Sequence, residues 1–176
     1  RSSSLEDMYQ VQEWIANSIE TALERFEKYY PGLMKTNFRR LEAHRLNILL
    51  LNWLDLEKSR IPFIVEASEE TGELSLGGLR FRVRIDRVDR LEHSDQFILL
   101  DYKSGTGNTS KSWFQRRITE PQLPLYALNL WEGTLAAIAF AQVHNRECSF
   151  KGIQAEEGSL PGIKPFDKHL HRKELP

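Results

Sequence analysis

Apolar residues in the first sixty positions recur at helical spacing. Leu5, Met8, Val11, Ile15, Ile19, Ala22, Leu23 and Phe26 fall three or four residues apart, which predicts an amphipathic helix over residues 5–29 with Ser4 as its N-cap. Pro31-Gly32 stops it. A second helix, about residues 37–60, carries Phe38, Leu41, Leu46, Leu49, Leu50, Trp53, Leu54 and Leu56 on a broad apolar face, and the two are expected to pack as an antiparallel pair. From Pro62 the pattern changes. Phe63-Ile64-Val65 reads as a short strand, Glu66 to Glu70 as a turn, and Leu74 and Leu76 as a hairpin partner closed by Gly77-Gly78. Phe81, Val83 and Ile85 then alternate with Arg80, Arg82 and Arg84, the period of a strand buried on one face, and that strand ends on Asp86. After a polar break at residues 93–96, Phe97-Ile98-Leu99-Leu100 delivers Asp101, Tyr102 and Lys103 ahead of a Ser-Gly turn.

The second half is less regular. Residues 106–112 form a polar, glycine-containing loop, and Pro121 suits the first turn of a helix over about 121–131 that sets Gln122 and Tyr126 one turn apart. The run Leu135 to Val143 is apolar enough for a buried strand, although its alanines also allow a helix. A strand is expected, because Thr134 and a β-rich segment at 148–153 flank a turn at His144-Asn145-Arg146. The pattern thus predicts a mixed α/β (α+β) domain: two leading helices, a central mixed sheet of about five strands, and a helix covering one face. It divides the chain into a helical pair at 1–60, a core at 61–157 and a loose tail at 158–176.

With 176 residues, 40% of them hydrophobic and 28% charged, the composition is that of one globular domain with a real core, and nothing reads as a membrane span or a signal peptide. A single cysteine, Cys148, excludes an internal disulfide and any multi-cysteine zinc or iron–sulfur site built from this chain alone, and an intracellular, cytoplasmic setting is the expectation. The chain opens Arg-Ser-Ser-Ser without a methionine and reads as an excerpt of a longer protein. Net charge is −1, yet residues 80–117 hold nine Lys or Arg against five Asp or Glu, a local +4 that leaves −5 elsewhere. Basic charge is concentrated where phosphates would approach. His44 reads as a surface or boundary residue, and the spacing of His144, His169 and His171 matches no standard metal site.

Candidate chemistry lies on the two strands. Side chains at i and i+2 share a face, so Asp101 and Lys103 point together, and a hairpin would bring Asp86 beside Asp101. Two close carboxylates repel, and a divalent cation with oxygen ligands, Mg²⁺ foremost with Mn²⁺ as a substitute, relieves that repulsion. Such a site could activate water while the lysine steadies developing charge, which is the chemistry of phosphodiester hydrolysis. The competing reading is a solvated hairpin with a surface ion pair. Trp113-Phe114-Gln115-Arg116-Arg117 mixes aromatic surface with positive charge, as single-stranded nucleic acid prefers, but a Trp-Phe pair is more often core than platform.

These residues resemble the RecB-like branch of the PD-(D/E)XK nuclease superfamily. The resemblance rests on Arg84-Ile85-Asp86-Arg87-Val88-Asp89, then Leu99-Leu100-Asp101-Tyr102-Lys103-Ser104-Gly105, then Gln122-Leu123-Pro124-Leu125-Tyr126. It implies a restriction-endonuclease-like core, metal ligation by Asp86, Asp101 and the Tyr102 carbonyl, and Lys103 as the catalytic lysine, while Asp89 pairs with an arginine. Relatives often place an acid near Glu69, which a solvated acidic turn explains as well. Gln122 and Tyr126 would belong to a DNA-binding wall, with Arg84, Arg87, Lys111, Trp113, Arg116 and Arg117 as further contacts. The implied activity is that of a Mg²⁺-dependent deoxyribonuclease, an exonuclease of DNA repair or recombination, without an iron–sulfur cluster and with a helicase subunit or domain as partner. The rival expectations are a non-catalytic DNA-binding or interaction module retaining the fold, and an enzyme acting on small phosphorylated molecules.

Overall fold

A computed structural model describes residues 5–105, 110–129 and 132–166. The chain divides into two compact units, residues 1–55 and 56–176. The first holds α1 (Leu5–Tyr29) and most of α2 (Thr36–Lys58). Ile15, Ile19 and Leu23, four residues apart, form the buried seam of α1, and Ala43, Leu46, Leu50, Leu51 and Leu54 of α2 pack against it. Arg39 at the start of α2 bonds Glu20 and lies 3.2 Å from Glu27. Met8, Phe26, Phe38 and Leu41, all expected on apolar faces, are exposed. The seam is therefore narrower than the sequence pattern. No described helix is long and apolar enough to cross a membrane.

The second unit is built on one five-stranded sheet in the order β1-β2-β3-β4-β5: β1 Phe63–Leu76, β2 Leu79–Leu91, β3 Gln96–Lys103, β4 Thr134–Gln142 and β5 Ser149–Gln154. Neighbours run antiparallel except β3 and β4, which are parallel. Parallel neighbours need a crossover, and α3 (Gln122–Asn129) supplies it, preceded by a 3-10 turn at Ser110–Phe114. Leu123 and Tyr126 of α3 enter a core with Val83, Ile85, Val88, Leu99, Trp113, Ile138 and Phe140. The mixed architecture with about five strands is as the sequence pattern predicts.

Two details differ from that pattern. Residues 63–76 are one long strand, not a strand, a turn and a partner: the expected turn is a β-bulge between Val65 and Ala67, followed by Glu69 in the left-handed region (φ 53°). The glycine pair does close the hairpin. Gly77 (φ 58°) and Gly78 (φ 81°) form a two-residue loop between Leu76 and Leu79, the geometry that matches strand twist. Residues 158–166 are not loose, because buried Gln154 anchors them. Its side chain donates to the Ile163 carbonyl (2.6 Å) and accepts from the Leu160 N–H (2.9 Å), and Leu160 is 1% exposed. Ser4, the rest of the tail, including His169 and His171, and the loop at 106–109 lie outside the described residues.

β4 and β5 meet without side-chain relief at one point. A Cβ added at Gly152 would lie 2.6 Å from Ala139 Cα and 2.7 Å from Ala139 Cβ, closer than packed atoms tolerate. Gly152→Ala is expected to lower the free energy of unfolding by about 1–3 kcal/mol, the scale of forced overpacking, as measured by urea denaturation. An unchanged midpoint would show that the two strands separate freely.

Candidate active site

β2 changes phase as it reaches the site. Val83, Ile85 and Val88 all belong to the same core cluster, which regular alternation forbids for residues 85 and 88, so the strand switches face at Asp86-Arg87. Glu69, between Ser68 (opposite Arg87) and Glu70 (opposite Ile85), sits at the same level on β1. The β2–β3 ladder pairs Arg87 with Leu100, which places Asp86 level with Asp101. There the Tyr102 backbone N–H donates to Asp86 Oδ2 at 2.8 Å. A carboxylate thus takes a strand N–H on the site side of that pair.

Asp101 is the more enclosed acid, with a side chain 8% exposed. Lys103 Nζ lies 2.8 Å from its buried Oδ2. Burial pushes the Asp101 carboxyl above its ordinary range, the Lys103 ammonium opposes the shift, and the charges of Asp86 and Glu120 add to it. For Lys103 burial works against the charge, but Asp101 and Glu120 outweigh it and hold the ammonium above its usual value. Lys103 is therefore charged, shared between Asp101 and Glu120 (3.4 Å). Register fixes it from the other side as well: Lys103 pairs with Gln142 of β4, whose amide donates to the Gly105 carbonyl at 2.5 Å, steadying the turn after the lysine.

Glu120 is the site residue that sequence reasoning missed. It holds φ 56°, costly for a non-glycine, immediately before α3. Its one sequence cue is its place two residues before Gln122, whose side-chain amide donates to the Arg84 carbonyl and ties α3 to β2 beside Asp86.

The expected metal donors fit an oxygen-ligand cation. Two level carboxylates, one of them a buried oxygen faced by a single ammonium, suit an ion that takes one or two carboxylates and keeps its waters. Among the described residues no group of three or more His, Cys, Asp or Glu could hold a metal, so Glu69, which is exposed, is not joined to the pair.

The expected nucleic-acid contacts separate into two sets. Arg84, Lys111, Arg116, Arg117 and Gln122 are exposed. Tyr126 (4% exposed) and Trp113 (8%) are core: the Trp113 ring packs on Phe140 with centroids 5.0 Å apart, so the aromatic surface available for bases is used internally. Arg87 faces inward. It donates to Asp89 (2.6 Å), Glu57 (3.2 Å) and the Tyr102 hydroxyl (2.9 Å), while Asp89, fully buried, also accepts from Arg60 at 2.7 Å. The Arg60 guanidinium lies 3.8 Å from the centroid of the Phe63 ring.

A scan of family models gives the decisive match: the PD-(D/E)XK nuclease superfamily, over residues 3–166. The chain belongs to the PD-(D/E)XK nuclease superfamily. No curated protein matches it. Members of the superfamily are nucleases that use divalent metals, and the match spans both helices and the whole sheet.

The buried charges behind the site are mutually dependent. Asp89→Ala is expected to cost about 3–5 kcal/mol, because it leaves the Arg60 and Arg87 guanidinium groups to share the single carboxylate of Glu57 in the interior. Arg60→Met/Asp89→Leu, which removes both partners, is expected to recover at least half of that loss in urea denaturation. A double variant no more stable than the single would show that the network is not a paired unit.

Proposed function

We propose that this chain is a Mg²⁺-dependent deoxyribonuclease module of the RecB-like type, cutting phosphodiester bonds as an exonuclease in DNA repair or recombination. The observation that carries the reading is the convergence of Asp86, Asp101 and Lys103 on adjacent strands within a nuclease-superfamily fold. Asp86, Asp101 and the Tyr102 carbonyl would hold the cation, which when bound supplies Lewis acidity to water and phosphate. The Tyr102 N–H fixes the Asp86 carboxylate, and β3 aims Asp101 and Lys103 to one side. Lys103, charged and held between Asp101 and Glu120, orients the attacking water and neutralises charge on the phosphate oxygens as the new P–O bond forms and the ester P–O bond breaks. One proton leaves the water and the departing alkoxide gains one. Glu120 holds the ammonium from the far side, so that it is not drawn entirely onto Asp101.

Exposed Arg84, Arg116 and Arg117 support a polyanionic substrate, and so does the concentration of basic residues between 80 and 117.

Two measurements test this. Mg²⁺ or Mn²⁺ in hundredfold excess over its dissociation constant is expected to stabilise the chain by about 2.7 kcal/mol, and Asp101→Asn to remove that gain. Equal stabilisation of both proteins would overturn the ligand assignment. Lys103→Ala is expected to slow cleavage of end-labelled DNA by roughly a hundredfold or more, the scale of losing one preorganised donor, with little change in DNA affinity. Cleavage at the wild-type rate would remove the lysine from the mechanism.

A further inference from the structure

β2 is paired with β3 only from Arg87 to Arg90, so its first eight residues have a backbone ladder with β1 alone and form a two-stranded ribbon leading to the site. On this ribbon the pairing is regular from Glu70 opposite Ile85 to Leu76 opposite Leu79. Val83 and Ile85 turn into the core, so Arg80, Arg82 and Arg84 share the opposite face, and all three are exposed. At about 3.4 Å per residue the guanidinium groups are rooted ~6.8 Å apart, comparable to the reach of one extended nucleotide. The row ends at the proposed active site: Arg84 Nη2 lies 3.8 Å from Asp86 Oδ1.

We propose that Arg80, Arg82 and Arg84 form a phosphate rail that guides one extended nucleic-acid strand along the β1–β2 ribbon to Asp86. The inference deepens the nuclease reading and rests on it for the direction of travel. Cross-strand neighbours favour it. Arg80 stands opposite Ser75 and Arg84 opposite Thr71, both uncharged, and Arg82 alone has an acid opposite it on β1, Glu73, at 3.4 Å. That pair is 78% and 64% exposed, so solvent and salt screen it and a phosphate displaces it readily. Strand pairing holds the three arginines in line, so little order has to be gained on binding. A straight row suits a single strand, whose backbone can follow it, better than a duplex, whose phosphates wind away.

The test is fluorescence anisotropy with labelled oligo(dT) in EDTA, where binding is read without cleavage. Each phosphate neutralised on a single strand contributes ~0.7 to the slope of log K against log salt, so Arg80→Ala/Arg82→Ala/Arg84→Ala is expected to lower the slope by about 2 and weaken binding at least tenfold at low salt. Arg25→Ala/Lys35→Ala/Arg40→Ala, the same charge change on exposed positions of the helical unit, is expected to leave the slope within about 0.5 of wild type. Equal losses from the two triple variants would reduce the effect to net charge and overturn the rail, as would no loss from the ribbon variant. An equal ribbon-dependent loss on a blunt duplex would overturn the assignment to a single strand. Metal-dependent cleavage separates this from the reading beneath it. Lys103-dependent cleavage with unchanged oligo(dT) binding by the ribbon variant sinks the rail alone, whereas lost binding without Lys103-dependent cleavage sinks the nuclease reading and leaves the rail.

Discussion

The bond from the Tyr102 N–H to the Asp86 carboxylate is the constraint on which the site depends. The backbone ladder between β2 and β3 carries their pairing as far as Arg87 and Leu100, and one residue further a side chain takes the acceptor's place. That substitution draws an acid into the plane between two strands, level with a second acid on the neighbour. It also explains why β2 must change phase there. A strand in regular alternation could not keep Ile85 and Val88 in one core while turning Arg84 outward and Arg87 inward on the same far side.

What lies behind the bond gives it rigidity. Arg60, Glu57, Arg87 and Asp89 balance two cations against two carboxylates in the interior, and Arg87 reaches on to the Tyr102 hydroxyl. Burial weakens the case for an arginine's charge, but the pairs with Asp89 and Glu57 hold Arg87 firmly ionised, above its ordinary value. Buried ion pairs add little net stability compared with apolar packing, yet they tolerate no misalignment, since any displacement leaves a charge without its partner. Tyr102 is thus held at both ends, by its N–H on the site side and by its hydroxyl on the network side. The residue between Asp101 and Lys103 has little freedom, and neither do its neighbours.

How much of this was legible follows from what each residue's sequence neighbours could reveal. Period-two alternation at 80–85 and the Asp-x-Lys spacing on β3 are local signals, and they placed Asp86, Asp101 and Lys103 on the elements where the structure has them. Both leading helices and the strands at 134–142 and 149–154 are equally local in their patterns. Tertiary partition was not legible. Nothing adjacent in sequence distinguishes Arg84, which is exposed, from Arg87, which is half-buried and drawn inward by acids at positions 57 and 89. Tyr126 is a binding residue only through the family resemblance and Trp113 reads as core more readily than as platform; Leu123 and Phe140 lie in the same core as both. The docked segment at 158–166 depends on one glutamine, Gln154, whose polar side chain gives no hint that it is 2% exposed and bonded twice. Glu120 is seventeen residues from Lys103, and no periodicity connects them.

Glu120 alters the electrostatic argument about the site. Among the described residues Asp86, Asp101 and Glu120 face Lys103 and Arg84, a balance of three carboxylates against two cations. On the proposed reading such a site repels a phosphodiester and has room for one more cation; with a divalent ion bound the local sign becomes positive and the same phosphodiester is attracted. Order is then imposed by charge alone, cation before substrate. Lys103 contributes to that order because it lies nearer Asp101 (2.8 Å) than Glu120 (3.4 Å). When the Asp101 oxygen is taken by another cation, the ammonium retains a carboxylate in Glu120 and stays charged at the site, where a developing phosphate charge needs it. The strained backbone at φ 56° is the conformational cost of keeping that second carboxylate within reach.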